Sequence, residues 1–199
     1  MKRIFLLLIF LLTINSFSQE IDKFRVGIDL GWTLPTAGGG GFLFAIEPKY
    51  NIKENLNIGL RMSSAAMVKD VEFKNTNENA DGKLAANSTY LATLDYYFYK
   101  GKNFVPYLGF GAGYAKLANI RFDMVSDVEL ENEEIKLNGK FAGLLRGGFE
   151  WGKFRFGVDF NLIPKSKLKD GLLSEDAEIS NSYFSFNLGF FIGGGRWKK

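Results

Sequence analysis

The chain has no cysteine and no histidine. Without them there is no disulfide, no cysteine-borne lipid anchor, no thiolate metal site, and no Ser-His-Asp or Cys-His nucleophile. Proline is scarce, with 4 residues, and neither sign of charge dominates, at 25 Lys+Arg against 22 Asp+Glu. That balance leaves no basic footprint for nucleic acid. No uncharged apolar run reaches the roughly 20 residues that a membrane-spanning helix needs. Strands that span a membrane are not excluded, because averaging along the chain erases a period of two. What is abundant is glycine, 23 in 199 residues, and aromatic side chains at 16%, against an ordinary glycine share of about 7%. These numbers suit one domain of distinctive architecture more than a particular reaction.

The first residues read as an address. Lys2 and Arg3 precede an uncharged stretch over 4–14, and small residues follow with a cleavage position after Ser18. All three parts of a secretory signal are present. The expected organisation is a cleaved signal over 1–18, a barrel domain over 19–192 and a short tail over 193–199.

From Phe24 the chain alternates. Phe24, Val26, Ile28, Leu30 and Trp32 share one face, and Arg25, Gly27, Asp29, Gly31 and Thr33 the other. Only a strand has that period. The pattern recurs over 42–50, 56–62, 90–98, 106–114, 141–151, 154–162 and 184–192, each about the length that a tilted strand needs to cross hydrocarbon. The connections alternate too: short at 53–55, 100–103 and 152–153, longer and polar or Gly-rich at 35–41, 67–88, 116–140 and 163–182. An even strand count with short turns at one end and long loops at the other predicts an all-β fold, an eight-stranded antiparallel up-and-down transmembrane β-barrel, with its long loops outside. Pro48 and Pro106 fall near the short-turn ends, where a lost ladder bond matters least.

Charge decides which face meets lipid. The apolar positions of the eight segments carry none, whereas the other face holds Arg25, Lys49, Arg61, Arg146 and Arg155 with Asp29, Glu47, Asp95, Glu150 and Asp159. Five of each sign can pair, the condition under which buried charge is tolerable. Nine glycines on the same face, among them Gly109, Gly111, Gly113 and Gly189, suit an interior only wide enough for its own side chains. The charged face is therefore expected inside as a lumenal ion-pair network, and the Phe-rich face in lipid. Trp32, Tyr50, Tyr90, Tyr114 and Trp151, near strand ends, are expected to form interfacial aromatic belts.

With this topology, Leu94-Asp95-Tyr96-Tyr97-Phe98-Tyr99, Pro106-Tyr107-Leu108-Gly109-Phe110-Gly111-Ala112-Gly113-Tyr114 and Phe184-Ser185-Phe186-Asn187-Leu188-Gly189-Phe190-Phe191 carry a resemblance. The chain resembles the eight-stranded outer-membrane β-barrel family, the outer membrane protein β-barrel domain group that includes OmpX-like and small porin-like proteins, especially those of Bacteroidetes. The resemblance implies residence in the outer membrane of a Gram-negative bacterium, among outer-membrane lipid and lipopolysaccharide. It also implies insertion by the β-barrel assembly machinery through the last strand, whose aromatic is Phe191 or a neighbour. The tail over 193–199 runs past that signal, a departure from the family pattern.

Other motifs carry less. Gly109 to Gly113 lies within a strand with no helix following, so it is no dinucleotide fingerprint, and Gly38 to Gly41 lacks the lysine of a phosphate loop. Gly38 to Gly41 reads instead as a flexible first external loop. Asp123, Asp127, Glu129, Glu131, Glu133 and Glu134 gather in the third long loop, where hard oxygen ligands could meet Ca²⁺ or Mg²⁺, but without a recognisable ligand framework a solvated acidic loop is the better reading. Alternation continues through Ala118, Ile120, Phe122 and Met124 and returns at Val128 and Leu130, which predicts a protruding hairpin with an edge for a partner strand. Asp95 and Glu150 are a conceivable acid-base pair, yet ion pairing accounts for them better. No cofactor is expected, and the chain is read as no enzyme.

Three functions compete at this stage. The first is a barrel plugged by its charges and by Tyr97, Tyr99 and Tyr107, serving envelope integrity or presenting its loops to an extracellular protein. The second is a small channel for solutes, or for apolar molecules through the wall, and the third a soluble barrel with an apolar ligand inside.

Overall fold

A computed structural model describes residues 23–69, 83–98, 104–120, 138–168 and 177–194. Seven strands follow one another: β1 (Phe24–Pro35), β2 (Gly40–Lys53), β3 (Leu56–Lys69), β4 (Lys83–Tyr97), β5 (Phe104–Ile120), β6 (Asn138–Trp151) and β7 (Phe154–Leu162). A small pair, β8 (Ser166–Leu168) and β9 (Ala177–Ile179), precedes the last strand, β10 (Tyr183–Gly193). Strands β1 to β7 and β10 form a closed antiparallel barrel in the order β1-β10-β7-β6-β5-β4-β3-β2. Every barrel strand therefore pairs with its chain neighbour, and β10 closes the circle on β1 from Arg25↔Gly193 to Pro35↔Tyr183.

Alternation sets the faces. In β1 exposure and burial follow one another from exposed Phe24 and buried Arg25 to exposed Leu34. In every barrel strand the outward parity is mostly apolar, with exposed Phe42, Leu60, Tyr90, Phe110, Phe141, Phe156 and Leu188 among its residues. In water, so continuous a band of exposed Phe and Leu far exceeds the few hundred Å² that soluble monomers show. Its natural solvent is hydrocarbon. Among the described residues no helix is long and apolar enough to cross a membrane.

The two ends differ. Glu54-Asn55 and Gly152-Lys153 are two-residue turns at the end where β1 begins and β10 finishes. At the other end the expected long first loop is corrected: β1 and β2 run on to Pro35 and Gly40, leaving only four residues, 36–39. Gly38 and Gly39 turn the chain there with φ of 88° and 85°, values that side chains disfavour. The connection 163–182 is not open chain either. It holds the β8–β9 pair and is tied back by Thr36 N to Ser182 O at 3.0 Å and by Asn181 Nδ2 to Pro164 O at 2.8 Å. The Lys140 ammonium adds bonds to the carbonyls of Pro164 and Lys165.

Strands run longer than the sequence pattern suggested, to 17 residues in β5, whose ladder with β4 reaches Leu84↔Ile120. The expected hairpin tip beyond it, the signal segment 1–18, the acidic loop 123–134, the short turn 100–103 with Tyr99, and the tail from 195 lie outside the described residues. Pro48 sits where the β2–β3 ladder breaks between Ile46↔Met62 and Lys49↔Gly59, as a residue lacking an N–H donor requires. Phe191 points into the barrel and is buried, so the last outward aromatic of the closing strand is Phe190.

Candidate functional site

The structure places Arg25, Asp29, Glu47, Lys49, Arg61, Asp95, Arg146, Glu150, Arg155 and Asp159 inside the barrel, all buried. They come from β1, β2, β3, β4, β6 and β7 and run from the short-turn end to mid-barrel, where Asp29, Arg61 and Asp159 lie. They form one connected network rather than five separate pairs.

Glu47 and Asp95 are its centre. The Arg146 guanidinium holds Glu47 with Nη2 to Oε1 at 2.6 Å and Nη1 to Oε2 at 2.9 Å, and Asp95 with Nε to Oδ1 at 2.7 Å. Lys49 Nζ reaches Asp95 Oδ2 at 2.5 Å and Glu47 Oε2 at 3.4 Å. Arg155 adds a 3.2 Å contact to Asp95, with its guanidinium stacked 4.1 Å from the Tyr107 ring centre. The Thr93 hydroxyl donates to Glu47 Oε1 at 2.6 Å. Arg61 extends the network sideways, to Asp29 at 2.5 Å and Asp159 at 3.0 Å. Below, Arg25 clasps Glu150 in a two-bond fork at 2.9 and 3.0 Å, the strongest geometry for this pair of groups. The Tyr97 hydroxyl donates to Glu150 Oε1 at 2.9 Å and receives an Arg25 N–H, linking this pair to the centre through Asp95.

Backbone placement makes this packing possible. Asp95 is opposite Gly109 and Asp29 opposite Gly189. A β-carbon on either glycine would occupy the space of the facing carboxylate oxygen. β5 and β10, which supply no charge to the network, supply that room. The void left between Arg25, Lys49, Glu150, Arg155 and Phe191 is about 10 Å³, space for one water at most.

Asp95 and Glu150 both lie within reach of the Tyr97 hydroxyl, at 3.4 and 2.9 Å. Asp95 is held by Lys49, Arg146 and Arg155, and Glu150 by Arg25. Among the described residues no group of three carboxylates is arranged to hold a metal ion.

The expectation of a polar lumen is corrected in its other half. Toward the long loops the interior is an apolar core of Leu43, Ala45, Ala65, Met67, Leu91, Ala115, Leu117, Ala142, Leu144, Ile163 and Tyr183. Buried Thr33, Ser63, Asn87, Thr89, Asn161, Ser185 and Asn187 are interspersed with it, and the Ser63 and Thr89 hydroxyls meet at 2.5 Å. Alternation hid this core, because Phe42-Leu43-Phe44-Ala45 and Leu144-Leu145 are apolar on both parities. The sequence reading also missed Thr93, which shares the parity of Asp95 two residues away.

Of the belt residues, Trp32, Tyr90 and Tyr114 are exposed at the long-loop end and Trp151 at the other, with Tyr50 half-buried beside Phe24 at 5.8 Å between ring centres. Phe24, Tyr96, Phe104 and Phe154 widen the short-turn band.

The family described as "Outer membrane protein beta-barrel domain" matches residues 4–197. Among solved structures the chain is similar to the outer membrane protein OprG from Pseudomonas aeruginosa, with a TM-score of 0.55 and 12% identity over 89% of this chain and 99% of that one. It is also similar to Neisserial surface protein A (NspA), with a TM-score of 0.53 and 12% identity over 85% and 95% of the two chains. At this identity the likeness is one of fold. No curated protein matches the sequence.

Proposed function

The chain belongs to the outer membrane protein β-barrel family, and from that premise we propose that it is a closed, non-enzymatic barrel whose filled lumen makes it a rigid wall element and a platform for its external loops. Its place is the outer membrane of a Gram-negative bacterium, so the short turns face the periplasm and the long loops the exterior. The observation that carries the reading is the ion network: ten side chains of balanced charge cross-link six strands and leave a void of about 10 Å³. The aromatic belts, including Trp32, Tyr50, Tyr90, Tyr114 and Trp151, seat the wall between the two head-group layers. Lipid and lipopolysaccharide are its surroundings, the assembly machinery its means of entry, and an extracellular protein the partner that the loops would meet.

Purified protein in a planar bilayer tests the plug. The wild type is expected to be silent, and the double variant Glu47→Ala with Arg146→Ala to open reproducible conductance steps. Ion-sized steps in the wild type would overturn the reading.

A second reading, a path for small apolar molecules, is favoured by one observation, the apolar outer half of the lumen around Leu43, Leu91 and Leu144. Uptake of a fluorescent apolar probe into vesicles bearing the protein, absent from empty vesicles, would select it.

A further inference from the structure

On the outer wall toward the long loops, β10, β1, β2, β3 and β4 surround a groove of about 710 Å³, within the 300–1,000 Å³ range of small-molecule sites. Small side chains make its floor, Ser64, Ala66, Ala86 and Ser88, and Trp32 and Phe44 are among the bulky ones at its sides. The Ser64 and Ser88 hydroxyls lie 3.3 Å apart and satisfy each other, so the floor makes no polar demand. The groove belongs to the membrane-facing parity and its lining is mostly apolar, which suits a hydrocarbon occupant.

A cation stands at its edge. Ser88 is directly opposite Lys116 in the β4–β5 ladder. Lys116 is exposed, its ammonium lies 5.9 Å from the Tyr90 ring centre, and no carboxylate among the described residues pairs with it. At the depth of Tyr90 and Tyr114 an ammonium meets head groups rather than chains. A groove for hydrocarbon beside a fixed positive charge is complementary to an amphiphile with an anionic head. The groove opens on the external half of the wall, and the leaflet there is built of lipopolysaccharide.

We propose that this groove seats an acyl chain of lipid A, with a phosphate of its head group on Lys116. The inference rests on the external placement of the long loops and is independent of whether the lumen conducts.

The test is retention of purified bisphosphorylated lipid A by the full-length protein, counted as bound adducts by native mass spectrometry. Ala66→Trp fills the floor and is expected to lower retention at least about ten-fold, as expelling two buried methylenes would. Lys116→Glu is expected to lower it several-fold, and dephosphorylated lipid A to bind the wild type no better than lipid A binds Lys116→Glu. Leu145→Trp, on the outward face of β6, is expected to retain lipid A as the wild type does. Wild-type retention by Ala66→Trp would overturn the site, and full-strength binding of dephosphorylated lipid A would overturn the role of Lys116. Equal retention of phosphatidylglycerol would overturn lipid A as the occupant. The heat-dependent gel shift of folded barrels checks each variant, and Lys116→Glu, which alters an exposed side chain, decides the matter if Ala66→Trp does not fold.

Discussion

The periplasmic and external halves of the lumen fill the same cylinder by opposite chemistry. Below, ten charged side chains are held by directional bonds, with Glu47 and Asp95 each touched by three or more cations. Above, Leu43, Met67, Leu91, Leu117 and Leu144 pack without directional bonds. An apolar core tolerates loss in proportion to volume. A charged one depends on balance, since removing one partner leaves a buried charge uncompensated. The halves should therefore fail differently under mutation.

The largest effect is expected from Asp95→Ala, which leaves Lys49, Arg146 and Arg155 short of a partner. Unfolding by urea in lipid vesicles, followed by tryptophan emission, should show a loss of about 3–5 kcal/mol. Arg25→Leu combined with Glu150→Leu should cost less than either single change, because the pair leaves together; additive losses would contradict a balance-limited network. Leu144→Ala in the external half should cost about 3 kcal/mol by the same assay, within the range for a buried leucine, and leave the bilayer electrically silent. Gly109→Ala pushes a methyl into the Asp95 carboxylate and should cost about 1–3 kcal/mol, whereas the same exchange at Gly139, which has open space around it, should cost close to nothing. Ser63→Ala should cost about 1 kcal/mol, the worth of one neutral hydrogen bond to Thr89.

The halves were also unequally legible in the sequence. Where lipid lies on one side and charge on the other, as from Phe24 to Trp32, parity assigns each residue a face. Where both sides are apolar, as from Phe42 to Ala45, parity carries no contrast, and the external core stayed hidden. Even below, parity gives the face but not the partner. Arg146↔Asp159 and Glu150↔Arg155 are ladder neighbours, yet Asp159 is held by Arg61 and Glu150 by Arg25, from across the lumen. Choice of partner depends on the reach of long side chains over glycine in a closed cross-section. No pattern along a single strand contains that information.

The fork between Arg25 and Glu150 also has a bearing on time. It joins β1 to β6, strands that are far apart in the sheet until β10 meets β1. An open, growing sheet cannot contain it. A contact that forms only on closure leaves the rate of sheet growth unchanged and slows the reverse step. The network thus works as a latch on the seam, setting how long a finished barrel stays shut rather than how quickly it is made.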